Sequence, residues 1–188
     1  MNSESLLYRR QSKRAYLSDP VPNDVLERVL EGARWAPSCA NNQPWRFVVA
    51  RSPDALARAH EALSRGNHAW VPAAPVLIAV VASQADDRTR KDNGVAYYLF
   101  DCGLAVENLL LAAVEEGLMG HPMAGFNADR VKDAFAIPDE YDVICLISLG
   151  YPGDISLLDE TTRAKDERPR TRKPLSETVF YDGWPQST

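Results

Sequence analysis

Residues 95–117 form the segment that most limits how this chain can fold. They read VAYYLFDCGLAVENLLLAAVEEG and are apolar on nearly every face of a helix. The polar residues that interrupt the segment are Asp101, Glu107, Asn108, Glu115 and Glu116. Charges of this kind argue against a membrane span, because each is costly in hydrocarbon. A helix this apolar must be buried, and we expect it to form a dimer interface, with burial in the core of one monomer as the alternative.

Helices and strands alternate along most of the remaining chain. Apolar side chains recur at helical spacing in residues 22–37, where we expect Asn23 to be the N-cap. The same patterns predict further helices at 53–65 and 127–135, and strands at 45–50, 74–82 and 141–152. The polar, breaker-rich residues 83–94 predict an exposed loop or a short lid.

The C-terminal region has two parts of different character. Residues 153–174 are charged and show no periodicity, which is typical of a disordered tail. The segment PLSETVFYDGW that follows carries several large apolar side chains, Leu175, Val179, Phe180, Tyr181 and Trp184. Because disordered tails usually lack such side chains, we expect this segment to cross a surface and dock.

Charge and cysteine content exclude several classes of protein. A chain of 188 residues is expected to form one domain, residues 1–188, and its formal charge of -5 disfavours nonspecific binding to nucleic acid or to an anionic membrane. Cys39, Cys102 and Cys145 are far apart and have no ligand spacing, which predicts neither disulfides nor a metal site. The N-terminal sequence has no apolar core of signal-peptide length, so we expect a cytoplasmic protein.

Two basic clusters lie at opposite ends of this acidic chain. The sequences RRQSKR and RPRTRKP combine guanidinium groups with hydroxyls, and either one alone could be a solvated surface. Together they suit a phosphate group, which binds planar guanidinium forks and hydroxyl donors. The residues that supply these groups are Arg10, Ser12, Arg14, Arg170 and Arg172.

A loop rich in amides precedes the first predicted strand. In WAPSCANNQPWRFVVA, residues 35–50, Asn41 and Gln43 can donate to carbonyls and accept from an imide N–H. That is the edge pattern of a flat heteroaromatic such as a flavin ring. The alternative is local bonding to the backbone of a tight turn.

The chain resembles the FMN-dependent nitroreductase family over residues 6–184. The motifs that carry the resemblance are RRQSKRAY, APSCANNQPWRFVV, DCGLAVENLLLAA, HPMAGFN, ISLGYP and RTRKPLSETV. The resemblance implies an α+β sandwich with a central mixed, mostly antiparallel sheet flanked by helices. It also implies an obligate homodimer with two FMN sites at the subunit interface and C-terminal arms swapped over the partner. No Gly-rich fingerprint for a dinucleotide is present, which favours FMN over FAD.

The resemblance gives the basic residues separate roles. Arg10, Ser12, Arg170 and Arg172 resemble the contacts to the phosphate and the ribityl chain. Arg14 resembles the cation near N1 and O2 of the flavin, where two-electron reduction places negative charge, so that a fixed cation raises the flavin's potential.

The amide loop is expected to contact the ring itself. Asn41 and Gln43 resemble the residues that address the ring edge. Three residues resemble those that lie against the ring from the partner subunit: Pro37, Ser38 and Cys39. No resolving cysteine lies near Cys39 in the sequence, so we interpret it as a packed thiol and not a redox group.

A segment near residue 124 completes the implied site. The backbone N–H groups of Ala124 and Gly125 resemble those that face flavin N5, and we expect the glycine to allow close approach to the ring. Gln11 is counted among the cofactor contacts, although many relatives carry His or Ser there. His60, His68 and His121 are not spaced as metal ligands and are interpreted as structural or exposed.

The activity implied by the resemblance is that of an oxidoreductase. NAD(P)H would reduce FMN and leave, and an electron-poor acceptor such as a nitroaromatic or a quinone would then be reduced at the same face. Alternatives are a non-catalytic, redox-sensing flavoprotein, or a reductive dehalogenase-like or flavin-degrading member of the same fold.

Overall fold

The fold is built on a sheet of four antiparallel strands. The computed structural model describes residues 2–87 and 94–185. The strands are β1 Arg46–Ala50, β2 Val76–Ser83, β3 Met119–Met123 and β4 Tyr141–Gly150, in the order β1-β2-β4-β3. The helices are α1 Leu6–Arg9, α2 Asn23–Arg34, α3 Pro53–His60, α4 Arg65–His68, α5 Tyr97–Glu115, α6 Ala128–Phe135 and α7 Glu160–Asp166.

Helices cover both faces of the sheet, and strand β2 explains why. All eight residues of β2 are buried, and alternate side chains point to opposite faces. Val76, Ile78 and Val80 pack with α2 and α5, whereas Leu77 and Ala79 pack into a second core with α3 and α6. The continuous apolar run of β2 therefore comes from burial on both faces.

Helix α5 is the centre of one of these layers. It packs on α2 so closely that a Cβ atom on Gly32 would lie 2.6 Å from the Cβ of Ala112. Cys102 and Leu109 of α5 are fully buried, while Leu99 and Phe100 of the same helix remain 45% and 59% exposed. The core of one protomer thus buries much of the helix, which was the alternative prediction, but leaves these two large apolar side chains uncovered.

The length of α5 raises the question of a membrane. Within the described residues, α5 is the helix long and apolar enough to cross one by length and composition. However, 44% of its most apolar window is buried inside the protein. Core helices of soluble proteins pass the same test.

The predicted elements agree with the structure except at several points. Asn23 is not the N-cap of α2: Pro22 occupies that position, and the Asn23 side chain instead accepts a hydrogen bond from Arg51. The helix predicted over residues 53–65 ends at His60, and α4 follows as a separate turn. Strand β3 was not predicted. It tolerates Pro122 because it lies at the edge of the sheet.

The C-terminal region departs further from the sequence-based prediction. Residues 160–166, inside the stretch that is typical of a disordered tail, form helix α7 with Asp159 as its N-cap. The apolar side chains beyond it are exposed on this chain: Tyr181 and Trp184 are 86% and 81% accessible. Within the predicted lid, residues 84–86 form a short 3-10 turn, and residues 88–93 lie outside the described residues.

Candidate functional site

A cationic cleft lies where the two ends of the chain meet. Its volume is about 240 Å³. The lining residues are Arg10, Gln11, Ser12, Lys13, Lys165, Asp166, Arg168, Arg170 and Arg172. Six of these carry positive charge and one carries negative charge, so the cleft favours an anion although the chain as a whole is acidic.

On the N-terminal side of this cleft, the Arg10 side chain contacts Ser12 and Glu107. Arg10 donates through Nη1 to Ser12 Oγ at 3.3 Å, and its Nε lies 3.7 Å from Glu107 Oε1 on α5. The guanidinium and the hydroxyl predicted to bind phosphate are therefore neighbours. A planar donor fork beside a hydroxyl is well suited to phosphate oxygens.

The C-terminal side is tied to helix α1. The Arg170 guanidinium donates to the backbone carbonyl of Tyr8 and, at 3.2 Å, to that of Leu7, and it lies 5.5 Å from the centroid of the Tyr8 ring. Arg172 is exposed and donates to the Thr171 carbonyl at 2.7 Å. The structure thus brings four of the predicted phosphate contacts from both chain ends into one cleft.

Arg14 lies beside the cleft and is fixed by a carboxylate that sequence reasoning missed. The Arg14 guanidinium and the buried carboxylate of Asp166 form an ion pair, and the Arg14 backbone N–H donates to Asp166 Oδ2 at 2.7 Å. Lys13 Nζ donates to the backbone carbonyl of Asp166. On its other side the Arg14 guanidinium lies 5.7 Å from the centroid of the buried Trp70 ring.

His121 ties this basic segment to the edge strand β3. Its Nδ1 lies 3.1 Å from the Lys13 carbonyl oxygen. Burial lowers the pKa of His121, so the ring is neutral near pH 7, and Nδ1–H must be the donor because a carbonyl only accepts. Ala124 follows three residues later, roughly 10 Å further along an extended chain. The structural role predicted for His121 agrees with this contact.

Gly125 has a packing role that the sequence did not indicate. A Cβ atom there would lie 2.6 Å from Ser64 Oγ and 2.7 Å from Asn67 Nδ2. The Gly125 carbonyl accepts from the Ser64 N–H at 2.9 Å and from Asn67 Nδ2 at 3.0 Å. A Cβ atom at this position would therefore make the Ser64 and Asn67 side chains shift, and a shift of Asn67 would disturb its hydrogen bond to the Gly125 carbonyl. Ala124 beside it is exposed.

The amide loop has an unusual backbone. Ala40, Asn41 and Gln43 all have positive φ, at 51°, 55° and 50°, a region that side chains other than glycine enter at a cost. The Gln43 N–H donates to Ser38 Oγ at 2.9 Å, and Gln43 Nε2 donates to the Asn41 carbonyl at 3.1 Å. Gln43 therefore makes local hydrogen bonds within the loop, which was one of the two interpretations of its sequence.

A second buried carboxylate anchors this loop. Both carboxylate oxygens of Asp101 lie near the Cys39 backbone nitrogen, at 3.2 and 3.1 Å, and accept from its N–H. Asp101 lies on α5, is 2% exposed, and has its pKa raised by burial. The sequence signal was present, since Asp101 is a charge within an apolar helix, but it was interpreted only as evidence against a membrane span.

Among residues 2–87 and 94–185, no residue of the amide loop lines the cationic cleft. The loop leads into β1 at one edge of the sheet, whereas Lys13 is bonded to β3 at the other edge. Three interstrand spacings of about 4.8 Å separate these edges by roughly 14 Å. The cleft lining does not include the predicted ring contacts of the amide loop, Pro37, Ser38, Cys39, Asn41 and Gln43.

Two of the three cysteines are made unreactive by burial. Burial raises the pKa of the Cys102 thiol to about 12 and that of the Cys145 thiol to about 11, so both stay protonated and unreactive near neutral pH. In residues 2–87 and 94–185 there is no group of three or more His, Cys, Asp or Glu side chains that could hold a metal ion.

Comparisons with known proteins agree with this architecture. A model of the nitroreductase family matches residues 7–68 and 55–151. A protein of Archaeoglobus fulgidus, provisionally named NADH dehydrogenase/NAD(P)H nitroreductase, is 34% identical over 154 residues, covering 79% of this chain and 84% of that protein. A Thermus thermophilus protein named NADH dehydrogenase is 28% identical over 210 residues, covering 96% of each.

Solved structures show the same fold. A crystal structure described as an oxidoreductase containing FMN superimposes with a TM-score of 0.87 at 31% identity, covering 100% of this chain and 94% of that one. A nitroreductase family protein from Clostridium difficile 630 gives a TM-score of 0.80 at 29% identity, covering 98% and 100%. By its sequence and its fold, the chain belongs to the nitroreductase family.

Proposed function

We propose that this protein is an FMN-dependent oxidoreductase that uses NAD(P)H to reduce small electron-poor acceptors such as nitroaromatics and quinones. The observation that carries the proposal is the cleft of about 240 Å³, in which six cationic side chains from both chain ends surround one serine hydroxyl. An FMN phosphate is a dianion that such a donor set binds well.

The phosphate is assigned to the cleft. Arg10, Ser12, Arg170 and Arg172 would hold its oxygens and the neighbouring ribityl hydroxyls, and Gln11 supplies a further amide at the cleft wall. The contact between Arg10 and Ser12 and the contacts of Arg170 with α1 support this assignment, because they fix two donors before any ligand arrives.

The ring is assigned to the side of the cleft near Arg14 and β3. The fixed cation of Arg14 would face the N1 and O2 edge, where reduction increases negative charge. The backbone N–H groups of Ala124 and Gly125 would face N5. Bound FMN would supply the transfer of hydride and electrons between NAD(P)H and the acceptor.

The amide loop is assigned to a second copy of the chain. A homodimer would bring the loop of one protomer, with Pro37, Asn41 and Gln43, to the cleft of its partner across the distance that separates them within one chain. Support comes from the apolar side chains left uncovered on α5 and on residues 175–184. These are the surfaces that a helix-to-helix contact and a swapped C-terminal arm would bury.

The absorption spectrum of the purified protein, followed by anaerobic titration with NADH and with NADPH, tests the proposal. We expect a yellow protein that releases FMN on denaturation and is bleached rapidly by at least one nicotinamide. A protein that stays colourless with added FMN contradicts the cofactor assignment. Retained FMN that neither nicotinamide reduces would instead indicate the redox-sensing alternative. A cytoplasmic location is part of the same proposal.

A further inference from the structure

We propose that Asp166 is a positioning residue that orients Arg14 beside the flavin and offsets its positive charge. It thereby holds the flavin's midpoint potential below the value that an unpaired Arg14 would give. This inference rests on the proposed function, because it concerns the potential of bound FMN. It adds to that function a role for the Asp166 carboxylate, which acts through Arg14 and not by contact with the substrate.

The geometry gives Asp166 control over Arg14. One carboxylate oxygen accepts from the Arg14 backbone N–H at 2.7 Å, and the other pairs with its guanidinium. The Asp166 carbonyl also accepts from Lys13 Nζ. With Trp70 on the opposite side of the guanidinium, at 5.7 Å from its ring centroid, Arg14 is held at its backbone and at its charged end.

The charges lead to the second half of the inference. The Asp166 side chain is 2% exposed and that of Arg14 is 22% exposed, so water screens the pair only weakly. An arginine paired with a buried carboxylate presents less net positive charge to its surroundings than a free one. The pair would therefore favour the negative charge of a reduced ring less strongly than an unpaired cation, and the potential would be lower.

The position of Asp166 in the chain links the two basic segments. It is the last residue of α7, and the arginines of the C-terminal segment begin two residues later at Arg168. Because the same residue bonds to Lys13 and Arg14, it fixes the C-terminal arm to the N-terminal segment at the cleft. Glu107, which lies 3.7 Å from Arg10, is 49% exposed and makes no comparable set of bonds.

Potentiometric titration of FMN-loaded Asp166→Asn tests the inference. The amide keeps the size of the side chain and removes its charge, so we expect the midpoint potential, measured at saturating FMN, to rise. Glu107→Gln is the matched control, because it also removes a carboxylate near a cleft arginine, and it should leave the potential unchanged. Asp166→Glu keeps the charge and should restore the parent value.

A second pair of variants separates the charge from the fold. Arg14→Gln should lower the potential, and combining it with Asp166→Asn should bring the value back toward the parent, because the pair is then neutral again. An unchanged potential in FMN-loaded Asp166→Asn, or a shift no larger than that of Glu107→Gln, overturns the inference. If Asp166→Asn does not fold, Arg14→Gln decides, since an unchanged potential there also overturns it. A parent that never binds FMN would refute the proposed function instead.

Discussion

The cationic cleft and the amide loop are each held by one buried carboxylate, but in opposite electrical settings. Asp166 in the cleft has the guanidinium of Arg14 as its partner. Asp101 under the loop accepts from the neutral backbone N–H of Cys39, and burial raises its pKa. The comparison teaches that the negative charge of Asp166 contributes to stability because the Arg14 cation is paired with it. For Asp101, which faces a neutral backbone N–H, the hydrogen-bond acceptor contributes and the charge does not.

The largest effect is expected from breaking the ion pair between Arg14 and Asp166 beside the cleft. Asp166→Ala leaves the largely buried Arg14 guanidinium without its carboxylate, and we expect a loss of about 3 kcal/mol in the free energy of unfolding, the lower end for a broken buried pair. Urea unfolding of the FMN-free protein measures it. A loss below about 1 kcal/mol would mean that solvent screens the pair as it does at a surface.

The next effect concerns ligand binding by the cleft. Arg172→Ala should weaken FMN binding by about 2 kcal/mol, or roughly 30-fold in Kd, because one charge-assisted contact to phosphate is lost. Quenching of flavin fluorescence measures the Kd. Lys173→Ala is the control, since Lys173 is the adjacent cation but does not line the cleft. Equal losses in both variants would indicate a general charge effect and not a phosphate contact.

A smaller effect would sharpen the description of the amide loop. Ala40 has a φ of 51°, so Ala40→Gly should stabilise the protein by up to about 1 kcal/mol by removing left-handed strain. The same change at Ala57, an exposed position of α3, should cost about 1 kcal/mol, because glycine weakens a helix. Thermal unfolding compares the two. Destabilisation by Ala40→Gly would show that the loop is not strained.

The smallest effect is the pH dependence of the loop's anchor. Burial raises the pKa of Asp101 in the folded protein. At neutral pH the ionised carboxylate therefore lowers the free energy of unfolding. This penalty disappears as the pH falls through the raised pKa toward the ordinary value. Asp101→Asn should therefore be at least as stable as the parent at pH 7, by less than about 1 kcal/mol. Urea unfolding at several pH values should show this difference shrinking in acid. A variant much less stable than the parent at pH 7 would show that the charge itself holds the loop.

The sheet and its main helices could be predicted because their periodicity is strong. Strand β2 is apolar from Val76 to Ala82, and α2 and α6 each have an apolar and a polar face at helical spacing. Strand β3 was missed because its five residues, MGHPM, include a glycine and a proline and carry no alternation. Helix α7 was missed because it is charged and shows no apolar periodicity. Its Asp159 cap is a local signal that was not used, whereas the contacts of Asp166 with Arg14 leave no local signal.

The site could be predicted only in part for a related reason. Arginine and hydroxyl clusters indicate a phosphate site from composition alone, and the structure brings Arg10 and Arg170 into one cleft. A carboxylate that orients such a group gives no signal of its own, because its partner is distant in sequence: 152 residues separate Arg14 from Asp166. Nor could the sequence reveal that Gly125 packs closely against the side chains of Ser64 and Asn67.

The bond between Arg14 and Asp166 also has a consequence for the order in which the protein is made. The last strand of the sheet ends at Gly150, so every strand has been synthesised before Asp166 is added to the growing chain. Arg14, although it is translated early, cannot form its ion pair with Asp166 until that moment. Arg170 and Arg172, to which the proposed function assigns the phosphate, are added later still, so a chain on the ribosome can assemble its sheet before its cationic cleft is complete. Under that assignment, cofactor capture would be one of the last events of biosynthesis.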